Sequence, residues 1–240
     1  LSLFTVNAYD DGYFENGEPS RPLEKICFNS QKKHFANTEV INFDNPIVLE
    51  MKEKFPKIYA SNKEVFSDIV RLKYMSIKPD LVYMDCDVYF NQIRYFPCGF
   101  SLADGKSFFC ISNGNDTETP AKLLSCYDDN EILTDKEITA KAGLRTSKIP
   151  CNLIHFAGVG GWNRIPVTYA YSDNKEKVIE MYDRLKLKRL NLLSNTLLNK
   201  VFSGSGRLIY VKKMQTMQSR RDANNIYDII SSHKCFAGRW

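Results

Sequence analysis

The sequence predicts an α/β protein with a mostly parallel central sheet flanked by helices. Three observations predict it. Short apolar runs that read as strands alternate along the chain with segments of helical periodicity. No Pro-rich or Gly/Ser-rich linker interrupts the 240 residues, so a single domain over 1–240 is expected, whole or as a fragment of a longer chain. The composition is that of a globular protein, 43% hydrophobic and 25% charged, which excludes wholesale disorder. No run approaches the ~18 apolar residues of a membrane span.

Leu1–Val6 alternates apolar and polar residues and reads as the first strand. It lacks the basic and long apolar regions of a signal peptide, and a start at Leu is compatible with removal of an upstream segment. Asn7–Gly17, rich in Asp, Asn and Gly, reads as a loop. Pro46–Phe55 reads as a helix, with Asn45 as its cap and Pro46 at the first position, where a missing N–H costs nothing. Asn62–Ile77 is a stronger helix, because Val65, Ile69, Leu72 and Met75 fall on one stripe, and Pro79-Asp80 stops it. Leu81–Met84 reads as a buried strand ending at Asp85, and Ser107–Ser112 and Cys151–Ala157 as further strands. Asn174–Leu187 and Leu193–Phe202 read as helices, the second leading through Gly204-Ser205-Gly206 into a strand at Arg207–Val211.

The seven cysteines are odd in number and contain no C-x-x-C pair, which disfavours a zinc ribbon, a redox motif or a disulfide framework. They read as buried thiols in a reducing compartment, so the expected location is cytoplasmic. The Asn115-Asp116-Thr117 sequon is of a kind that occurs by chance. Charge is uneven. From Lys175 to Trp240 there are 14 basic and 5 acidic residues, net +9, and the rest of the chain carries net −4. A basic third of this kind faces phosphates, an anionic membrane or nucleic acid, or is simply a solvated helix face. The Lys186–Arg189 cluster is interleaved with Leu rather than with aromatics, which suits a helix touching a membrane surface or the core, so peripheral contact with an anionic membrane is weighed and nucleic acid is not expected.

The most informative segment is Tyr83-Met84-Asp85-Cys86-Asp87-Val88. Two carboxylates two residues apart at a strand end project to the same side. They offer hard oxygen ligands to Mg²⁺ or Mn²⁺ while leaving positions open for phosphate oxygens. The plain alternative is two exposed strand-end acids, but ligands of open α/β sheets bind outside the carboxyl ends of strands. On the preceding helix, Asp68 and Arg71 share a face, either as a surface ion pair or as the rim of a nucleotide-sugar pocket.

Phe66–Phe90 (FSDIVRLKYMSIKPDLVYMDCDVYF) resembles the signature of D-x-D glycosyltransferases with the GT-A, Rossmann-like fold. It is similar to the glycogenin and lipopolysaccharide-galactosyltransferase group in its Y-x-D-x-D, and to the yeast-type α-mannosyltransferase group in its S-D-x-x-R. The resemblance implies a divalent metal on the diphosphate of a nucleotide sugar, held directly by Asp87, with Asp85 serving ribose or sugar hydroxyls and also the metal. It implies that Asp68 and Arg71 bond the donor. Thr5, Asn7 and Tyr9, on and after the first strand, would cradle base and ribose in that fold, since an aromatic ring stacks on a base and an amide bonds its edge.

Three later segments resemble the family's in order. His155–Trp162 is similar to the F-N-x-G-V segment of the sugar pocket, but carries Phe156-Ala157 with no Asn before Gly158. Ser194–Phe202 is similar to the D-Q-D-x-L-N helix start, with both acids replaced and Asn195 standing where the Gln stands, which makes Asn195 a catalytic candidate. The ending from His233 to Trp240 resembles the H-x-x-G-x-x-K-P-W type, and implies His233 as third metal ligand and Lys234 or Arg239 as the cation that meets the leaving phosphate. His155, a lone histidine after an apolar run, reads as a hydrogen-bonded structural residue, and His34 has no assigned role.

The expected function is transfer of a sugar from a nucleoside diphosphate donor, a UDP-sugar before a GDP-sugar, to a glycan or other hydroxyl acceptor. The resemblance implies retention of configuration. An inverting reaction needs a carboxylate base, and no motif selects among Asp104, Asp116, Asp128 and Asp129. The competing readings are a D-x-D nucleotidyl or phosphoryl transferase and a basic nucleic-acid or anionic-surface binding module.

Overall fold

The computed structural model describes residues 1–93, 95–103, 106–144, 149, 151–157, 167–171 and 208–211. Its contacts group into two compact units: Leu1–Glu18, Phe35–Asp85 and Tyr95–Ile149 in the first, and Pro19–His34, Cys86–Arg94 and Pro150–Trp240 in the second.

The first unit is a mixed α/β layer structure. Strand β1 (Ser2–Asn7) is followed by β2 (Phe14–Glu15) and β3 (Glu18–Pro19), joined by a tight turn at Asn16 and Gly17 with φ of 52° and 77°. The segment read as a loop thus contains an Asn-Gly hairpin turn, whose two left-handed residues match strand twist. Past helix α1 (Pro22–Lys32) of the second unit come β4 (Thr38–Asn42), α2 (Pro46–Lys54), α3 (Pro56–Ser61), α4 (Lys63–Ile77) and β5 (Leu81–Met84). The side chain of Asn45 caps α2 by accepting from the Ile47 amide, and that of Asn62 caps α4 by accepting from Val65, each at 3.0 Å. After β6 (Val88–Ile93), which belongs to the second unit, come β7 (Gly99–Ala103), β8 (Lys106–Asn113), α5 (Glu118–Leu124) and α6 (Asp135–Lys141).

The five-stranded sheet has the order β4-β1-β5-β8-β7. Only the pairs β1–β4 and β1–β5 are parallel; β8 runs antiparallel to both β5 and β7. The sheet is therefore mixed rather than mostly parallel throughout. The reason is connection length. Helices α2 to α4 give the crossover that a parallel neighbour needs, whereas the two residues between β7 and β8 permit only a hairpin. Strands β1 and β5 lie at the centre, and Phe4, Leu81, Met84, Phe66, Ile69 and Met75 are essentially inaccessible, so α4 buries the stripe that its periodicity predicts.

The second unit contains α1 and a four-stranded antiparallel sheet, β11-β10-β9-β6, with β9 at Cys151–Ala157, β10 at Val167–Tyr171 and β11 at Leu208–Val211. Helix α1 packs on β6. Gln31 Nε2 donates to the Val88 carbonyl at 2.7 Å, and Ser30 Oγ accepts from the Phe90 amide at 2.8 Å. The helices expected at Asn174–Leu187 and Leu193–Phe202 lie outside the described residues.

Candidate functional site

Asp85 is the first residue past the carboxyl end of β5, and its amide still donates to the Phe108 carbonyl at 2.9 Å. The chain thus leaves the sheet at the first carboxylate. Asp85 is anchored from inside its own unit. The Tyr83 hydroxyl donates to Asp85 Oδ1 at 2.5 Å, and Arg71 Nη2 stands 3.9 Å from the same oxygen. Arg71 is 3% exposed, lies 3.8 Å above the Tyr83 ring and donates to Asp68 Oδ1 at 2.5 Å. The S-D-x-x-R pattern therefore forms a buried i,i+3 ion pair directly behind the first carboxylate. Beside it is a cavity of about 20 Å³, lined in part by Asp68, Arg71, Tyr127 and Asp135, with room for a water and not for a sugar.

Asp87 immediately precedes β6, and the β6–β9 register sets Val88 opposite His155. His155 Nε2 consequently stands 3.4 Å from Asp87 Oδ1, with the imidazole 11% and the carboxylate 19% exposed. Asp87 Oδ1 is buried and has no hydrogen-bond partner among the described residues. Asp85, two residues earlier in the sequence, is the last residue of its segment of the first unit. Within the second unit, a carboxylate beside an imidazole offers two ligands that suit a divalent cation such as Mn²⁺.

Strand pairing thus brings His155 beside Asp87, whereas the sequence reading expected His233 as the third metal ligand. His233, Lys234 and Asn195 lie outside the described residues, as does the Gly158–Trp162 segment. No sequence signal marks His155, because its partner Val88 lies 67 positions away and only the register discloses the pairing. The cradle candidates stand on and after β1. Thr5 and Asn7 are buried, and Asn7 Nδ2 donates to Asn42 Oδ1 at 3.2 Å. Tyr9 stacks on Tyr59 with ring centroids 4.8 Å apart, and its hydroxyl donates to the Tyr59 carbonyl at 2.9 Å. Of the four acids weighed as a base, Asp129 accepts the Lys57 and Ile58 amides of α3, and Asp116 accepts the Phe100 and Thr119 amides. Asp128 accepts the Asn130 amide, and Asp104 is outside the described residues.

Neither a scan against protein-family models nor a search of curated proteins finds a match for this chain. No helix among the described residues is long and apolar enough to cross a membrane.

Proposed function

We propose that the protein is a metal-dependent glycosyltransferase of GT-A type, moving a sugar from a nucleoside diphosphate to a hydroxyl acceptor. The observation that carries the reading is the contact of Asp87 with His155, in a D-x-D sequence whose first carboxylate, Asp85, follows the carboxyl end of a parallel strand. Ligands from Asp87 and His155 would leave coordination positions for diphosphate oxygens, and a bound Mn²⁺ or Mg²⁺ would neutralise charge developing on the leaving diphosphate. Asp87 and His155 would hold the cation, while Tyr83 and Arg71 fix the Asp85 carboxylate in one orientation. The likeness of Phe66–Phe90 to the D-x-D signature supports a nucleotide sugar as donor and retention as the outcome.

Calorimetric titration with UDP and GDP, in Mn²⁺ and then in EDTA, tests the reading. Metal-dependent binding of one nucleotide, lost in Asp87→Ala, is the expected result. A folded protein that binds neither nucleotide overturns it, and selective binding of a nucleoside triphosphate moves the assignment to nucleotidyl transfer.

A further inference from the structure

We propose that Asn16 is a site of self-modification, losing its side-chain amide to water through a cyclic imide formed with Gly17. Asn113, in the chain's other Asn-Gly pair, is held back from the same reaction by the fold. Both pairs belong to the first unit, and the inference does not depend on the transferase reading.

The chemistry is dictated by the dipeptide. Glycine has no Cβ, so the nitrogen that follows the asparagine is least shielded in an Asn-Gly pair. As its proton passes to a solvent base, that nitrogen attacks the asparagine Cγ. The N–Cγ bond forms, the Cγ–Nδ2 bond breaks, and Nδ2 takes a proton from solvent and leaves as ammonia. A water then opens the imide at either carbonyl, giving an aspartyl or a β-linked isoaspartyl residue. The balance is one water in and one ammonia out.

At Asn113 the groups that must move are tied. Its Nδ2 donates to the Pro97 carbonyl at 3.1 Å and to that of Phe96 at 3.4 Å. The attacking nitrogen, the Gly114 amide, donates to Asp80 Oδ1 at 2.8 Å. Asn113 also ends β8, which is paired on both sides, with β5 and with β7.

At Asn16 the opposite holds. Asn16 and Gly17 are exposed, and a Cβ on Gly17 would meet nothing within 4 Å, so water and base reach the nitrogen. Among the described residues no hydrogen bond holds the Asn16 side chain or the Gly17 amide. The left-handed backbone at Asn16 turns the Gly17 nitrogen away from Cγ, so the ring closes only once the turn opens. Opening costs little here. The turn is closed by strands of two residues each, one ending in Pro19, which has no N–H for the ladder. Freeing Asn113 instead requires a central strand to part from its neighbours, an opening at the stable end of the range. The product places a new carboxylate beside Glu15 and Glu18, and the β-linked form adds a backbone atom to a two-residue turn.

The test incubates the full chain in mildly alkaline, ¹⁸O-labelled water, folded and in urea, and maps its peptides by mass spectrometry. In the folded chain, the Asn16 peptide is expected to exchange its amide for a carboxylate carrying the label, while the Asn113 peptide stays unchanged. In urea both peptides are expected to convert. Equal conversion of the two peptides in the folded chain overturns the proposal. So does a folded Asn16 peptide still intact when urea has converted it. An Asn113 peptide that resists in urea as well overturns it too, since the contrast would then lie in the sequence and not in the fold.

Discussion

At the scale of single residues, the site is built from charges kept out of water. Arg71 and Asp68 have side chains 4% and 16% exposed, so removing the guanidinium strands a largely buried carboxylate. Arg71→Met is expected to cost about 3–5 kcal/mol of stability, measured by urea unfolding in EDTA. A cost below 1 kcal/mol would mean that the pair behaves as a surface ion pair. Glu24 makes the opposite contribution. Burial, with Asp87 adding to it and Arg21 opposing, raises its carboxyl above the ordinary 4.5. The folded chain therefore holds this proton to higher pH than the unfolded chain does, and the associated stability is lost as pH rises through the folded value. In EDTA, the parent should lose stability relative to Glu24→Gln between about pH 4 and the folded value, with a constant gap above it. Urea midpoints of both proteins from pH 4 to 8 measure this, and parallel curves would contradict it. Asp85 and Asp87 were legible as a pair because two-residue spacing at a strand end is a local property. His155 was not, since it reaches Asp87 through strand pairing that links distant parts of the sequence.

At the scale of elements, legibility followed locality in the same way. Helix α2 was readable from its Asn45 cap and first-position Pro46, and helix α4 from its apolar stripe, since each signal is written within the segment itself. Strand β6 was missed, although Val88–Ile93 directly follows the carboxylate pair, and its antiparallel partner is set by β9. The β5–β8 junction shows what a connecting loop demands. Asp80, at φ 55°, accepts the Gly114 amide at 2.8 Å, and Gly114 itself has φ 75°. A Cβ on Gly114 would meet Cys98 Sγ at 3.0 Å, whereas one on Gly143, at φ 66° just past α6, would meet nothing within 4 Å. Both Ala variants carry left-handed strain of about 1 kcal/mol or more. Gly114→Ala should therefore be less stable than Gly143→Ala, because it adds a steric contact. Thermal melts of the two variants compare them directly, and equal losses would mean that Cys98 gives way at no cost.

At the scale of the whole molecule, charge is unevenly divided along the chain. The α/β class was legible because helical crossovers and apolar strands alternate along the chain, while the antiparallel share was not, since it depends on short connections. The charge division needs no structure at all: residues 175–240 carry net +9 and the remainder net −4. A transferase working on membrane-borne acceptors would gain from such a segment, because each Lys or Arg near an anionic surface contributes roughly 1 kcal/mol. That attraction decays over about 8 Å at physiological ionic strength and about 3 Å at 1 M salt. The expectation is that the full chain co-sediments with vesicles containing phosphatidylserine at low salt, and is released as salt rises. Phosphatidylcholine vesicles should leave it in the supernatant. A truncation at Asn174 tests whether the basic third carries the effect, provided that the shortened chain keeps the circular dichroism of a folded protein. Equal binding to neutral and anionic vesicles would instead assign membrane contact to apolar surface, since only a charge-driven contact distinguishes the two lipids and weakens with screening.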